Sequence, residues 1–160
     1  MTATTARELR SAIARFPTGV AVIATLKQAV PIGMTANSLT SVSLDPPLLL
    51  WCIARQAPSF EAFRLAPYFA VNVLAMDQLW MSQQFSRSSS DKFAGVEWRP
   101  GVNGVPVILG CAATFECELV SRYRAGDHEI HLGKVLSTSS SQKPSLAYYE
   151  SGYAEIHCSR

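Results

Sequence analysis

The sequence predicts a mainly β fold, an antiparallel barrel with a few short helices. Along the 160 residues, about six or seven runs are rich in apolar, β-branched or aromatic residues, whereas only two or three short segments have helical spacing. The two longest runs, residues 112–123 and 128–139, are joined by the short turn RAGD, which indicates an antiparallel hairpin. A chain of this length forms one domain, and we expect that domain to be residues 1–160.

The first predicted element is a short amphipathic helix in TARELRSAIARFP. Thr5 is placed to cap its N-terminus, and Pro17 ends it because proline has no amide hydrogen to continue the helix. The apolar residues that recur at helical spacing are Leu9, Ala12, Ile13 and Phe16.

A β-hairpin is predicted next. Residues 20–26 (VAVIATL) form a β-branched apolar run, and residues 29–36 (AVPIGMTA) follow after a turn around Lys27 and Gln28. Two strand-like runs separated by so short a connection pair with each other.

Two buried strands and two short helices are predicted in the middle of the chain. Residues 46–54 and 68–75 are the strands because both are nearly continuous apolar runs. Between them, residues 58–66 lack β-branched residues and favour a helix. A second helix is predicted over residues 77–86, with Asp77 as its cap.

The final hairpin is predicted to have one solvent-exposed face and one buried face. Phe115, Cys117 and Leu119 alternate with Glu116 and Glu118. Because successive side chains of a strand point to opposite faces, we expect both glutamates to face water.

Composition and charge narrow the function classes. Apolar residues make up 48% and charged residues 16%, which is typical of a folded protein with surface available for a second subunit, so we expect a homodimer. The net charge is +2 with no basic run, which argues against nucleic acid or an acidic membrane as partner. MTATTARELR lacks the apolar core of a signal peptide, and no run approaches membrane-spanning length, so we expect a cytoplasmic protein.

The cysteines predict neither a metal site nor a disulfide framework. Cys52, Cys111, Cys117 and Cys158 form no C-x-x-C pair and have no histidines at metal-binding spacing. We interpret the first three as small core residues and expect no metal.

The stretch GMTANSLTSVSLDPP, which begins at Gly33, is the first candidate ligand segment. The glycine permits close approach of a ligand to the backbone, and Ala36 leaves space beside it. Thr35, Asn37 and Ser38 offer hydrogen-bond donors and acceptors that suit a flat heteroaromatic ligand. The alternative is that these groups satisfy backbone atoms at a strand end.

A long polar segment, residues 86–104, is interpreted as a functional loop rather than a linker. Its first part, FSRSSSDKF, offers Ser86, Arg87 and Lys92, a mixture that can hold a phosphate. A solvated loop is the alternative. The absence of a Walker-type glycine pattern disfavours a nucleoside triphosphatase.

Two further positions are candidates for ligand contacts. Ser59 in RQAPS begins a predicted helix, where backbone donors attract an anion. His128 lies at the mouth of the last hairpin, and a merely exposed turn residue is the alternative there. The sequence shows no recognisable Ser-His-Asp arrangement, H-E-x-x-H motif or carboxylate pair, so a hydrolase is disfavoured.

Six blocks, taken in order, resemble the short-chain flavin reductases, the small components of two-component flavin-dependent monooxygenases. The resemblance covers nearly the whole chain, from about Phe16 to Tyr153. The blocks are FPTGVAVIAT, GMTANSLTSVSLDPPLLLWC, FAVNVLAMDQ, FSRSSSDKFAGVEW, GDHEIHLGKV and LAYYESGY.

The resemblance implies a split antiparallel β-barrel homodimer with flavin in a groove near the dimer interface. The residues it assigns to the flavin ring edge are Thr35, Ala36, Asn37, Ser38 and Leu39. Those it assigns to the ribityl chain and phosphate are Ala54, Ser59, Phe60, Ser86, Arg87 and Lys92. Phe93 is expected beside the cofactor, His128 beside the nicotinamide as the catalytic residue, and Tyr153 in the pocket wall.

The implied activity is hydride transfer from NADH or NADPH to FMN or FAD, which supplies reduced flavin to a separate monooxygenase. Hydride transfer requires the nicotinamide and flavin rings to stack, so the main role of the protein is to position them. Hydrogen-bond donors near the flavin stabilise the negative charge that develops on it during reduction. His128 is therefore expected to be an orienting or gating group beside the nicotinamide rather than a proton donor. Two alternatives stay open, a non-catalytic flavin-binding or electron-carrier module and a flavin-dependent reductase of a corrinoid or ferric complex.

Overall fold

A computed structural model describes residues 4–89 and 91–157 of the chain, and Cys158 lies outside them. The helices are α1 (Ala6–Ile13), α2 (Phe60–Leu65) and α3 (Leu79–Ser86), with short 3₁₀ turns at Met76–Gln78 and Val102–Gly104. The strands are β1 (Thr18–Gly19), β2 (Ala21–Lys27), β3 (Val30–Ala36), β4 (Thr40–Leu44), β5 (Pro47–Ala54), β6 (Tyr68–Val73), β7 (Trp98–Pro100), β8 (Pro106–Ile108), β9 (Ala113–Ala125), β10 (His128–Ser140), β11 (Ala147–Tyr149) and β12 (Gly152–Ala154).

The main sheet has seven strands in the order β3-β2-β6-β9-β10-β5-β4. Its neighbouring strands are antiparallel throughout. The two edge strands, β3 and β4, are consecutive in the chain, so the sheet curls and the chain crosses directly from one edge to the other. The sheet is not closed, and the predicted split β-barrel is confirmed.

Ser38 extends the pairing of β4 with β5 beyond the start of β4. Its hydroxyl donates to the carbonyl oxygen of Cys52 at 3.2 Å and accepts from the Cys52 amide at 3.0 Å. The register Thr40↔Leu50 places Ser38 opposite Cys52, so a side chain continues the β4–β5 ladder where the strand has ended. The alternative interpretation, that a small hydroxyl satisfies backbone at a strand end, is correct for this serine.

The barrel interior is built around Trp51. Its ring packs edge-on against Phe63 of α2 at 5.0 Å and tilted against Phe69 of β6 at 5.9 Å. A second apolar cluster lies outside the barrel, where Phe85 of α3 and Phe93 pack edge to face at 4.9 Å beside β2. This second cluster holds α3 close to β2 and β3.

Most locally predicted elements are confirmed. Thr5 caps α1 with a complete capping box to Glu8, and α2 and α3 occupy predicted helical segments. The predicted end of α1 at Pro17 is wrong, because the helix ends at Ile13. The first hairpin is present, with its turn at Gln28 and Ala29, whose φ values are 51° and 66°. Positive φ at both turn residues matches the twist of a two-residue hairpin.

Asp77 is not the cap of α3. It lies inside the preceding 3₁₀ turn, and its carboxylate accepts from Lys143 Nζ at 2.7 Å. The side chain that satisfies backbone here is that of Gln78, which accepts from the Ala75 amide at 3.0 Å.

Glu116 does not face water, contrary to the alternation pattern. It is 3% exposed, accepts a hydrogen bond from the Val102 amide and lies 3.4 Å from Arg99. Residues 98–108, taken above as part of a polar loop or left unassigned, form β7, a 3₁₀ turn and β8, and they cover this face of the sheet. A second layer, which periodicity in β9 cannot reveal, therefore buries one glutamate and leaves Glu118 exposed.

Two of the three predicted core cysteines are buried. Cys111 and Cys117 are 8% and 1% exposed, whereas Cys52 is only half-buried. Burial raises the pKa of the Cys111 and Cys117 thiols to about 12, so both stay protonated and unreactive near neutral pH.

Candidate functional site

A groove follows β3, bounded on its other side by α3 and the loop after it. It consists of two clefts, defined here as the first cleft, of about 320 Å³, and the second cleft, of about 420 Å³. The first cleft is lined by Val20, Thr35, Ala36, Asn37, Ser82, Ser86, Tyr148 and Tyr153. The second is lined by Pro31, Ile32, Gly33, Pro58, Ser59, Ser88, Ser89 and Lys92.

The two clefts follow one another along the strand. Residues 35–37 line the first and residues 31–33 line the second. At a rise of about 3.3 Å per residue, the backbone from Pro31 to Asn37 spans roughly 20 Å. The two clefts are therefore neighbours along one stretch of backbone.

Hydroxyl groups and aromatic rings form the walls of the first cleft. Thr35 Oγ1 donates to the carbonyl oxygen of Ser82 at 2.7 Å, and Ser82 Oγ lies 2.9 Å from the Tyr153 hydroxyl. The rings of Tyr148 and Tyr153 meet edge to face at 5.6 Å. Asn37 Nδ2 donates a hydrogen bond to Thr18 Oγ1 of β1 at 3.3 Å.

The second cleft contains a lysine and three serines. Lys92 Nζ donates to the carbonyl oxygen of Phe85 at 2.9 Å, in the last turn of α3. Partial burial lowers the pKa of Lys92 because the charged form loses hydration. Ser59 Oγ contacts Met34 Sδ at 3.6 Å, and Ser88 and Ser89 are exposed. The arrangement suits an anion, which would restore the interactions that the ammonium loses on burial.

Gly33 is required for a reason other than the one predicted. A Cβ built there would lie 2.6 Å from Phe85 Cε1 and 3.2 Å from Phe93 Cε2. The space beside this glycine is therefore filled by core aromatic rings. The absence of a Cβ allows these rings, rather than a ligand, to approach the backbone closely.

The structure brings about half of the predicted site residues to the groove. The predicted residues that line it are Thr35, Ala36, Asn37, Ser59, Ser86, Lys92 and Tyr153. Leu39 and Phe60 pack against the barrel core, and Phe93 belongs to the second apolar cluster. Ser38 bonds Cys52, and Arg87 is exposed. The functional roles of all of these residues stay predictions.

His128 lies at the tip of the β9–β10 hairpin, opposite Ala54 of β5. It is exposed, and its Nδ1 lies 2.8 Å from Asp127 Oδ1. This hydrogen bond is the largest cause of the lowered pKa of Asp127. Neither Ala54 nor His128 lines the groove, so the proposed contact of His128 with a nicotinamide stays a prediction.

Sequence reasoning missed Ser82 and Tyr148 in the first cleft, and Ser88 and Ser89 in the second, as lining residues. A signal for Ser82 was present, because Ser82 and Ser86 are four residues apart on α3 and therefore share a face. Tyr148 is cross-strand partner to Tyr153 in the β11–β12 pair, which no local pattern in LAYYESGY specifies.

Two absences hold for the part of the chain that the structure describes. Within residues 4–89 and 91–157, no cluster of three or more histidine, cysteine or acidic side chains is arranged to hold a metal ion. None of the described helices is long and apolar enough to cross a membrane.

Comparison with known proteins identifies the family. The model of the flavin reductase like domain matches residues 13–157. A probable flavin reductase from Rhizobium meliloti is 45% identical over 148 residues, which are 92% of this chain and 48% of that protein, so the chain spans about half its length. FMN reductase (NADH) SmoA from Agrobacterium fabrum is 45% identical over 130 residues, 81% of this chain and 74% of that protein.

A solved structure indicates the same family. The NADH:FAD oxidoreductase SgcE6 of Streptomyces globisporus, in complex with NAD and FAD fragments, has a TM-score of 0.90 at 36% identity, covering 94% of this chain and 92% of that chain. Sequence and fold agree over nearly the whole chain, which therefore belongs to the flavin reductase like domain family.

Proposed function

We propose that this protein is an NAD(P)H:flavin oxidoreductase that reduces FMN or FAD and supplies the reduced flavin to a separate monooxygenase. The observation that carries the proposal is the groove along β3. One end offers hydroxyls, an amide and aromatic edges, which suit a flat ring, and the other offers Lys92 among serines, which suits a phosphate. Relatives whose names state NADH, FMN or FAD support both co-substrates.

The residues present fit a flavin nucleotide. Lys92, Ser59, Ser88 and Ser89 would hold the phosphate, and Lys92 is in none of the ion pairs among the described residues. The backbone from Thr35 to Leu39 would meet the ring edge. When bound, the flavin supplies the hydride acceptor and the reduced nicotinamide supplies the hydride.

The chain's own contribution is position and polarity. Thr35 and Ser82 fix β3 against α3 through their 2.7 Å hydrogen bond, so the ring edge meets a rigid strand. Backbone amides and the Asn37 amide are the donors available to negative charge that builds up at that edge. His128, exposed on its hairpin, is proposed to orient the nicotinamide.

Turnover tests the proposal directly. Purified protein is mixed with NADH or NADPH and excess FMN or FAD, and loss of nicotinamide absorbance is followed. No oxidation with either nucleotide would reject the enzyme. Flavin binding without oxidation would instead favour the carrier module, and anaerobic oxidation only with a corrinoid or ferric complex would favour the other reductase.

Lys92→Ala tests the assignment of the phosphate. We expect FMN affinity to fall about tenfold, the loss of one charge-assisted hydrogen bond, while riboflavin affinity stays unchanged. Lys143→Ala is the matched control, because Lys143 pairs with Asp77 outside the groove. Equal weakening of FMN and riboflavin would mean that Lys92 acts only by holding α3 through Phe85.

His128→Ala tests the nicotinamide assignment. The KM for NADH or NADPH is expected to rise while the flavin dissociation constant stays the same. If both constants are unchanged, His128 is only an exposed turn residue.

We also propose a cytoplasmic homodimer. The outer face of β4, β5, β9 and β10 leaves apolar side chains exposed, among them Val42, Leu44, Val120 and Leu136. Such a face is covered in a stable assembly. The buried free thiols of Cys111 and Cys117 fit a reducing compartment. Light scattering would show twice the chain mass, and a monomeric wild type would reject the dimer.

A further inference from the structure

We propose that Ser82 is a positioning residue that sets the width of the first cleft by tying its two walls together. The inference rests on the proposed function, because the cleft is taken to hold the flavin ring. Ser82 contacts Thr35 on one wall and Tyr153 on the other. Asn37 also joins the end of β3 to the small sheet, through Thr18 of β1, but among the described hydrogen bonds Ser82 is the partner of the Tyr153 side chain.

The first wall is joined through the serine backbone. The carbonyl oxygen of Ser82 accepts from Thr35 Oγ1 at 2.7 Å. A carbonyl has two lone pairs, so this bond adds to the helical one without replacing it. Ser82 is 1% exposed, and α3 is fixed on its apolar side by Phe85, which is fully buried. This side of the tie is therefore rigid.

The second wall is joined through the serine hydroxyl. Tyr153 lies on β12, the three-residue edge strand of the small sheet β1-β11-β12, which is separate from the main sheet. Edge position and short length make β12 easy to displace. The 2.9 Å contact between Ser82 Oγ and the Tyr153 hydroxyl fixes its distance from α3. Without it, the Tyr153 side chain would keep its packing against Tyr148 but lose its hydrogen bond to α3, so the separation of the two walls would be less constrained.

A neighbouring tyrosine, Tyr149, provides a matched control. Tyr149 lies on the same hairpin, but its hydroxyl accepts from Arg15 at 3.4 Å and it does not line the cleft. Tyr149→Phe therefore removes a comparable hydroxyl from the same two-stranded unit without touching the tie.

A double-mutant cycle tests the proposal. Flavin dissociation constants are measured by fluorescence titration for the wild type, Ser82→Ala, Tyr153→Phe, the double variant and Tyr149→Phe. Each single variant is expected to bind FMN or FAD about fivefold more weakly, the effect of one buried hydrogen bond. The double variant should also lose about fivefold rather than about 25-fold, because both changes remove the same contact. Tyr149→Phe should match the wild type.

Thermal unfolding of the flavin-free proteins separates positioning from structure. A merely structural serine would lower the melting temperature and leave the dissociation constant unchanged, which would overturn the proposal. Multiplicative losses in the double variant would overturn it too. If Ser82→Ala does not fold, Tyr153→Phe alone decides, by weakening flavin binding or not. A wild type that binds no flavin rejects the proposed function itself, whereas unaltered variants of a flavin-binding wild type reject only this inference.

Discussion

Gly33→Ala tests whether packing between α3 and β3 sets the groove. The added methyl group would lie 2.6 Å from Phe85 Cε1 and 2.8 Å from its Cδ1, whereas ordinary contact begins at 3.4 Å. The Phe85 ring must therefore retreat by about 0.8 Å. Phe85 is fully buried and Phe93, its edge-to-face partner, is 8% exposed. Because Phe85 is fully buried and lies on α3, we expect its retreat to move the helix.

The expected cost follows from overpacking. Forcing a methyl group into a filled core costs about 1–3 kcal/mol. For a domain of this size, a loss of about 2 kcal/mol lowers the melting temperature by roughly 4–8 °C. Because Ser82 and Ser86 lie on the displaced helix, flavin affinity should fall as well.

Urea denaturation and flavin titration of the same samples measure both effects. Gly19→Ala is the control, because a Cβ at Gly19 meets nothing within 4 Å, and its stability should change by less than about 0.5 kcal/mol. Adding Phe85→Leu to Gly33→Ala should cost less than the two single losses together, since it makes room for the methyl. If Gly33→Ala is as stable as Gly19→Ala, the packing argument is wrong.

Three further predictions concern stability. Asn72→Ala should cost about 3 kcal/mol in urea denaturation, because its buried side chain makes three hydrogen bonds to backbone, and a loss below about 1 kcal/mol would contradict this. The pKa values of Cys111 and Cys117 rise from 9.0 to about 12 on folding. The free energy of unfolding should therefore be unaffected by these thiols below pH 9 and should fall between pH 9 and pH 12, by roughly 1 kcal/mol per pH unit for each thiol. A free energy of unfolding that is independent of pH over this range would contradict the prediction. Thr5→Ala should speed amide exchange in α1 without changing the global melting temperature, since α1 has no buried residue, and a clear fall in that temperature would count against it.

The strands that could be predicted are those whose apolar runs are long and local. Residues 20–26, 46–54 and 68–75 carry their own signal, and the two hairpins carry the signal of short turns. Strand β4 was not predicted, because its Thr, Ser and Val residues are mostly exposed and resemble a polar ligand segment. Strands β11 and β12 are three residues each, too short for a period to emerge.

The candidate site was predictable as a set of chemical groups and less so as an arrangement. Thr35, Asn37, Ser86 and Lys92 were identified by type and by family resemblance, and all of them line the groove. Ser82 was not, because its role arises from two partners 47 and 71 residues away in the chain.

By itself the sequence determined the mainly β class, the antiparallel hairpins, the positions of three helices and the family, since each depends on neighbouring residues or on ordered motifs. Tertiary structure alone decided which polar groups are buried or exposed to a ligand. Glu116 is covered by a second layer, Ser38 bonds the backbone of Cys52 on β5, and Ser82 joins β3 to β12. The physical reason is that burial and hydrogen-bond pairing depend on strands distant in the chain, whereas periodicity reports only how one segment repeats along itself.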